Sequence, residues 1–139
     1  MTKYFRALLI DPERQTIRIV ATTGRIEDVC SLIGASHLDS FRIAEHETSV
    51  DYGWVDELGL RTNGKPFHAF KRDIRSHDPI AGRCLVLGAD KEGETTNARM
   101  PVDYLRQHIV WLGLIFPEVL WEETDHGSRA IVTYARVKA

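Results

Sequence analysis

Apolar and polar positions alternate in short, sharply bounded blocks along this chain. Tyr4 to Ile10 (YFRALLI) is an apolar run of strand length, dense enough for a central strand buried on both faces. Asp11-Pro12-Glu13-Arg14 reads as a turn, because Asp favours the first position and Pro presets φ at the second. Thr16 to Val20 is a β-branched run returning from it, so the two predict an antiparallel hairpin. Arg25 to Ile33 changes period. Ile26, Val29, Cys30 and Ile33 share one helical face, Thr23 can cap the start, and Gly34 stands where a C′ glycine belongs.

Ser40 to Glu45 predicts a short strand. Val50 to Val55 sets Val50, Tyr52 and Trp54 against Asp51, Gly53 and Val55 in strand alternation. Residues 58–78 are the least regular stretch, and Asn63-Gly64 is a turn signal within it. Pro79 to Ala89 contains a buried strand, clearest at Cys84 to Leu87, with a loop at Asp90 to Gly93. Pro101 to Leu112 predicts a second helix from Val102, Leu105, Ile109 and Leu112, with Gly113 as its C′ residue. Leu114 to Glu122 and Arg129 to Val137 predict a final strand pair turning at Asp125-His126-Gly127.

The order is therefore β-β-α-β-β-loop-β-α-β-β. Hairpins outnumber βαβ crossovers, which predicts an α+β fold: a mainly antiparallel mixed sheet of about six or seven strands, with two helices packed on one face. No repeat, low-complexity tract or long linker interrupts the chain. A single α+β domain over 1–139 is expected, with 113–139 either completing the sheet or forming a C-terminal strand-pair extension.

Composition narrows the classes. With 139 residues, 43% hydrophobic and 27% charged, the chain can bury a core without disulfides or metal. A net charge of −2 argues against a dedicated duplex-DNA binder and against an acidic DNA mimic. Cys30 and Cys84 lie inside apolar patterns and read as small buried hydrophobes in a reducing compartment; a disulfide between them is the minor alternative. The N-terminal residues lack a signal-peptide pattern, and the longest apolar run, Ile109 to Phe116, is too short to span a membrane. The expected location is the cytoplasm, with no membrane association.

Three segments carry a family resemblance. ALLIDPERQTIRIV (Ala7 to Val20), DYGWVDELGL (Asp51 to Leu60) and DPIAGRCLVLGADKEGE (Asp78 to Glu94) occur in that order. Together they resemble the domain of unknown function 3846 family of small bacterial, phage and plasmid proteins, over about residues 6–94. The departures are the basic insert Lys65 to His77 and the C-terminal strand pair. The resemblance implies an association with mobile elements. It implies no reaction, because the family has no established catalytic residues to carry over.

Candidate chemistry is sparse. Asp78 can orient His77 as a base, but neighbours on an extended chain point apart, and the plainer reading is a loop capped by Asp78. The six histidines are not spaced as metal ligands; His46, between Glu45 and Glu47, has a surface pattern. The segment Gly88 to Gly93 lacks phosphate-loop spacing. No cofactor and no metal are expected. From Arg61 to Asp78, five cations (Arg61, Lys65, Lys71, Arg72 and Arg75) face two Asp, with Phe67, His68 and Phe70 interleaved, a composition that can hold a single strand. Against it, the aromatics can pack the loop down while the charges stay solvated. Tyr52 and Trp54 can wall a pocket with the 61–78 loop. Trp121, before Glu122-Glu123, suits an edge strand at an interface.

Three functions remain. The first is a non-catalytic mobile-element accessory protein that binds an unknown protein partner, with a homodimer through the C-terminal strand pair as one form of association. The second is nucleic-acid binding through the 61–78 segment. The third is a small-molecule or nucleotide binder or enzyme using Tyr52, Trp54, His68 and His77. The leaning is away from an enzyme. The second predicts salt-sensitive binding that Lys71→Glu with Arg72→Glu abolishes; salt-independent binding, or none lost in that variant, rejects it.

Overall fold

The structure is a computed structural model. It describes residues 2–59, 65–76 and 78–136. The elements are β1 (Phe5–Asp11), β2 (Thr16–Thr22), α1 (Ile26–Ile33), β3 (Leu38–Glu45), β4 (Ser49–Asp56), β5 (Phe67–Lys71), β6 (Ile80–Ala81), β7 (Cys84–Asp90), β8 (Thr95–Thr96), α2 (Val102–His108), β9 (Val110–Thr124) and β10 (Gly127–Arg136). The fold is α+β, as the hairpin-rich order predicts. The strands form two sheets: a six-stranded sheet with the path β2-β1-β7-β4-β3, where β8 pairs onto β7, and a four-stranded sheet in the order β10-β9-β5-β6. Their ladders are antiparallel.

The central strands are buried on both faces, and this decides where the helices go. Ala7, Leu8, Leu9 and Ile10 of β1 are each at most 1% exposed. Leu9, Leu85 and Leu87 meet Val29 and Ile33 of α1 on one face. Leu8, Ile10, Cys84 and Val86 meet Leu105 of α2 and Phe70 of β5 on the other. The helices thus cover opposite faces, not the one face expected. Each fully buried Leu or Ile stabilises the fold by about 1.5–3 kcal/mol.

Local sequence explains most element ends. Asp11 Oδ1 accepts the N–H groups of Glu13 and Arg14, closing the β1–β2 turn. Gly34 ends α1 at φ 72°, with its N–H on Cys30 O. The start of α1 differs from expectation. Arg25 is the N-cap without a side-chain bond, and Asp28 reaches back instead to the Thr23 N–H and the Thr22 hydroxyl. Those donors, the Thr23 amide foremost, lower the pKa of the Asp28 carboxyl.

The second helix stops at His108, short of the expected Leu112. Residues 109–112 satisfy helical spacing, but their β-branched and aromatic side chains also suit a strand, and pairing with β5 decides. Gly113 is not a helix terminus. It takes φ 68° where the β5–β9 register shifts, as a bulge requires. The 58–78 stretch, expected to be irregular, contains β5. Asn63-Gly64 lies outside the described residues.

One buried carboxylate ties these layers together. Asp51 is 0% exposed in the middle of β4. It accepts the backbone N–H of Met100 at 2.8 Å and of Arg99 at 3.1 and 3.2 Å, and the His46 Nε2–H at 3.1 Å. Residues 97–100 therefore form a strap across the sheet. Its other end is sewn to β1: Arg6 N–H donates to Asn97 Oδ1, and Ala98 N–H to Arg6 O. The strap crosses so close to β7 that a Cβ on Gly88 would lie 2.6 Å from Asn97 O. It carries Ala98 and Met100 into the core and delivers α2 to the face opposite α1. His46, read as a surface residue, instead supports this carboxylate.

Asp51→Ala strands two strap amides and is expected to lower the unfolding free energy by about 3 kcal/mol, with Asp51→Asn milder because its amide oxygen still accepts. Urea unfolding checks this; a loss below about 0.5 kcal/mol for the alanine variant, a surface-like effect, would contradict it.

Candidate functional site

The strand alternation of β4 separates the residues that the sequence grouped. Tyr52 and Trp54 face α1 and line a hollow of about 110 Å³ with Ile26, Leu38 and Leu87. The 65–76 stretch lies on the other side of the large sheet, where β5 inserts Phe70 into the core. Tyr52, Trp54 and that stretch therefore do not wall one pocket. Arg61 and His77 lie outside the described residues.

The remaining basic residues are dispersed. Lys65 is exposed ahead of β5; His68 and Lys71 are half-buried along it. The Arg72 guanidinium lies 5.3 Å from the centre of the Phe41 ring. Arg75 is exposed in a turn held by Asp73, which accepts the N–H groups of Arg75 and Ser76. Those bonds, the Arg75 amide foremost, lower the pKa of the Asp73 carboxyl. Phe70 is 1% exposed and packs edge-on against Trp111, so it offers no face for base stacking.

Two concavities adjoin at the end of the large sheet. The smaller, about 240 Å³, brings together Asp11, Pro12 and Glu13, then Asp56 and Gly59, then Ala81, Gly82 and Arg83. One part comes from each of the three segments that carry the family resemblance. Arg83 is held there between Asp11, 3.5 Å away, and Leu32 O at the end of α1. His68 also lines this cleft. The larger, about 520 Å³, shares Asp56, Gly59 and Ala81 with it. It runs along Phe41 and Ile80 and carries Asp39, Glu57, Asp78 and Arg72. Sequence reasoning weighed Asp78 only beside His77 and missed Asp39, Asp56 and Glu57, because each sits near the end of a strand or in a loop, where a lone carboxylate reads as solvated. Only the fold gathers them.

One grouping that resembles a catalytic set is engaged elsewhere, and the one fully buried thiol is shielded. Ser49, His46 and Asp51 lie within six residues of one another, but His46 Nε2 and Asp51 serve the strap, and buried Ser49 Oγ has no hydrogen-bond partner among the described residues. Cys84 is 0% exposed, and burial pushes its thiol up to about 12. Both cysteines are free. Among the described residues no three His, Cys, Asp or Glu side chains gather as a metal site, and no helix is long and apolar enough to cross a membrane.

The C-terminal hairpin is the other distinctive surface. β9 pairs with β5 only from Val110 to Ile115. Beyond that, among the described residues, the hairpin is paired only by its own two strands. Residues 121–130 are all exposed, and Trp121 is 73% exposed opposite Ala130. On the neighbouring pair, Arg129 clasps Glu122 with two bonds of 2.6 and 2.8 Å.

A family model, described as a domain of unknown function (DUF3846), matches residues 5–108. The chain belongs to this family. The match ends with α2, so the β9–β10 hairpin lies wholly beyond it. No curated protein and no solved structure matches the chain.

A thiol reagent applied to the native protein is expected to modify half-buried Cys30 first, with Cys84 reacting only on unfolding. Intact-mass measurement checks this; native labelling of Cys84 would show that its pocket opens to solvent.

Proposed function

We propose that the protein is a cytoplasmic, non-catalytic accessory protein of a mobile element that acts by binding another protein. The observation that carries this reading is the β9–β10 arm. It begins where the family match ends, extends past its pairing with β5, and displays a tryptophan that its own fold leaves mostly uncovered. A large apolar side chain on an open edge hairpin is costly to expose and is the kind of residue that anchors interfaces. The Glu122–Arg129 clasp and the ten paired positions hold the arm in one register, so it can dock with little ordering cost. The mobile-element association follows from the family resemblance. Commitment of His46 and Asp51 to the strap supports binding over catalysis, and burial of Phe70 counts against a single-strand stacking surface.

Tagged protein is expected to retain a specific protein from nuclease-treated host lysate, or a second copy of itself. Trp121→Ala is expected to weaken that retention at least tenfold, with an unfolding free energy within about 0.5 kcal/mol of the parent. Retention unchanged in Trp121→Ala, or retention that disappears with nuclease, would overturn the reading. Light scattering separates the two partners: a monomer at every concentration removes the second copy.

A further inference from the structure

We infer that the larger groove seats an extended basic segment of a partner protein. The inference rests on the protein-binding reading and assigns it a second surface, away from the arm. β3 is the outer strand of the six-stranded sheet and β6 the outer strand of the four-stranded one. Among the described residues neither edge pairs with a further strand, and the groove of about 520 Å³ is lined from both, with Val55 and Asp56 of β4 between them. Phe41, Val55, Pro79 and Ile80 give it an apolar lining. An extended peptide suits such a place, because an open edge offers unpaired backbone N–H and C=O groups to an added strand.

The charge of the groove selects the peptide. Asp39, Asp56, Glu57 and Asp78 line it against one cation, Arg72. None of these four carboxylates is ion-paired with another described residue. Arg72 lies over the Phe41 ring, where the aromatic face rather than an acid receives it. Lys or Arg side chains can lay their methylene stems on Val55 and Ile80 and place their charged heads among the carboxylates. An acidic segment would meet four like charges in the same groove. The complementary occupant is therefore a strand in which cations alternate with small apolar residues.

The test uses the full, isotope-labelled chain at physiological salt, titrated with two amidated octapeptides. One alternates Lys with Val and the other Glu with Val. The Lys peptide is expected to shift the amide resonances of Asp39, Phe41, Asp56 and Ala81, and the Glu peptide to leave them in place. Glu57→Gln with Asp78→Asn changes two exposed side chains, so the fold survives, as circular dichroism would verify. That variant is expected to bind the Lys peptide roughly fivefold to tenfold more weakly. Equal response to both peptides, shifts confined to the arm, or unchanged affinity in the double variant would overturn the proposal. Failure of the Lys peptide while Trp121-dependent capture persists would remove the groove and leave the arm reading intact.

Discussion

The interaction on which the architecture depends is the acceptance of three N–H groups by the buried Asp51 carboxylate. A charged group in mid-sheet is costly unless its oxygens are filled, and here two of the three donors come from a segment nearly fifty residues away in sequence, the Arg99–Met100 backbone. That choice of partner has large structural effects. It pins the connection between β8 and α2 across β7, and it brings Ala98 and Met100 into the core. It also places α2 on the face opposite α1. Gly88 is the matching concession on β7, since a side chain there would collide with the strap backbone.

The family match includes the strap and stops short of the arm. The matched region ends with α2, the helix that the strap positions. Beyond it, β9 pairs with β5, which lies in the stretch singled out in the sequence as a basic insert. The small second sheet straddles that limit: β5 and β6 lie within the matched residues, and β9 and β10 lie beyond them. It buries Phe70 and Trp111 against the core at one end and leaves Trp121 uncovered at the other. A module that keeps its core closed and adds an exposed arm is organised for recognition at its periphery.

Much of the core was legible in the sequence. The dense run in β1 and the alternating β2 gave a hairpin, and Gly34 marked the end of α1. Other features were hidden for physical reasons. The spacing of Ile109 and Leu112 fits a helix and a strand alike, and only the presence of β5 as a partner settles it. Asp51 alternates with Gly53 and Val55, and nothing in that alternation shows that both sides of β4 are covered. The acids of the groove come from three separate segments, and no local pattern joins them. Tyr52 and Trp54 were grouped with the basic stretch by nearness along the chain, but strand alternation turned them to the opposite face. Trp121, expected on an edge strand, lies instead on β9, which pairs with β10 along its length and with β5 up to Ile115.

Native-state hydrogen exchange, read residue by residue, tests the division between strapped core and free arm most directly. The account predicts that the Arg99 and Met100 amides exchange as slowly as Leu85, Val86 and Leu87, because all of them open only when the core unfolds. Amides within residues 121–130 should exchange through local opening, orders of magnitude faster. Rapid exchange at Arg99 and Met100, or an arm as protected as β7, would contradict it.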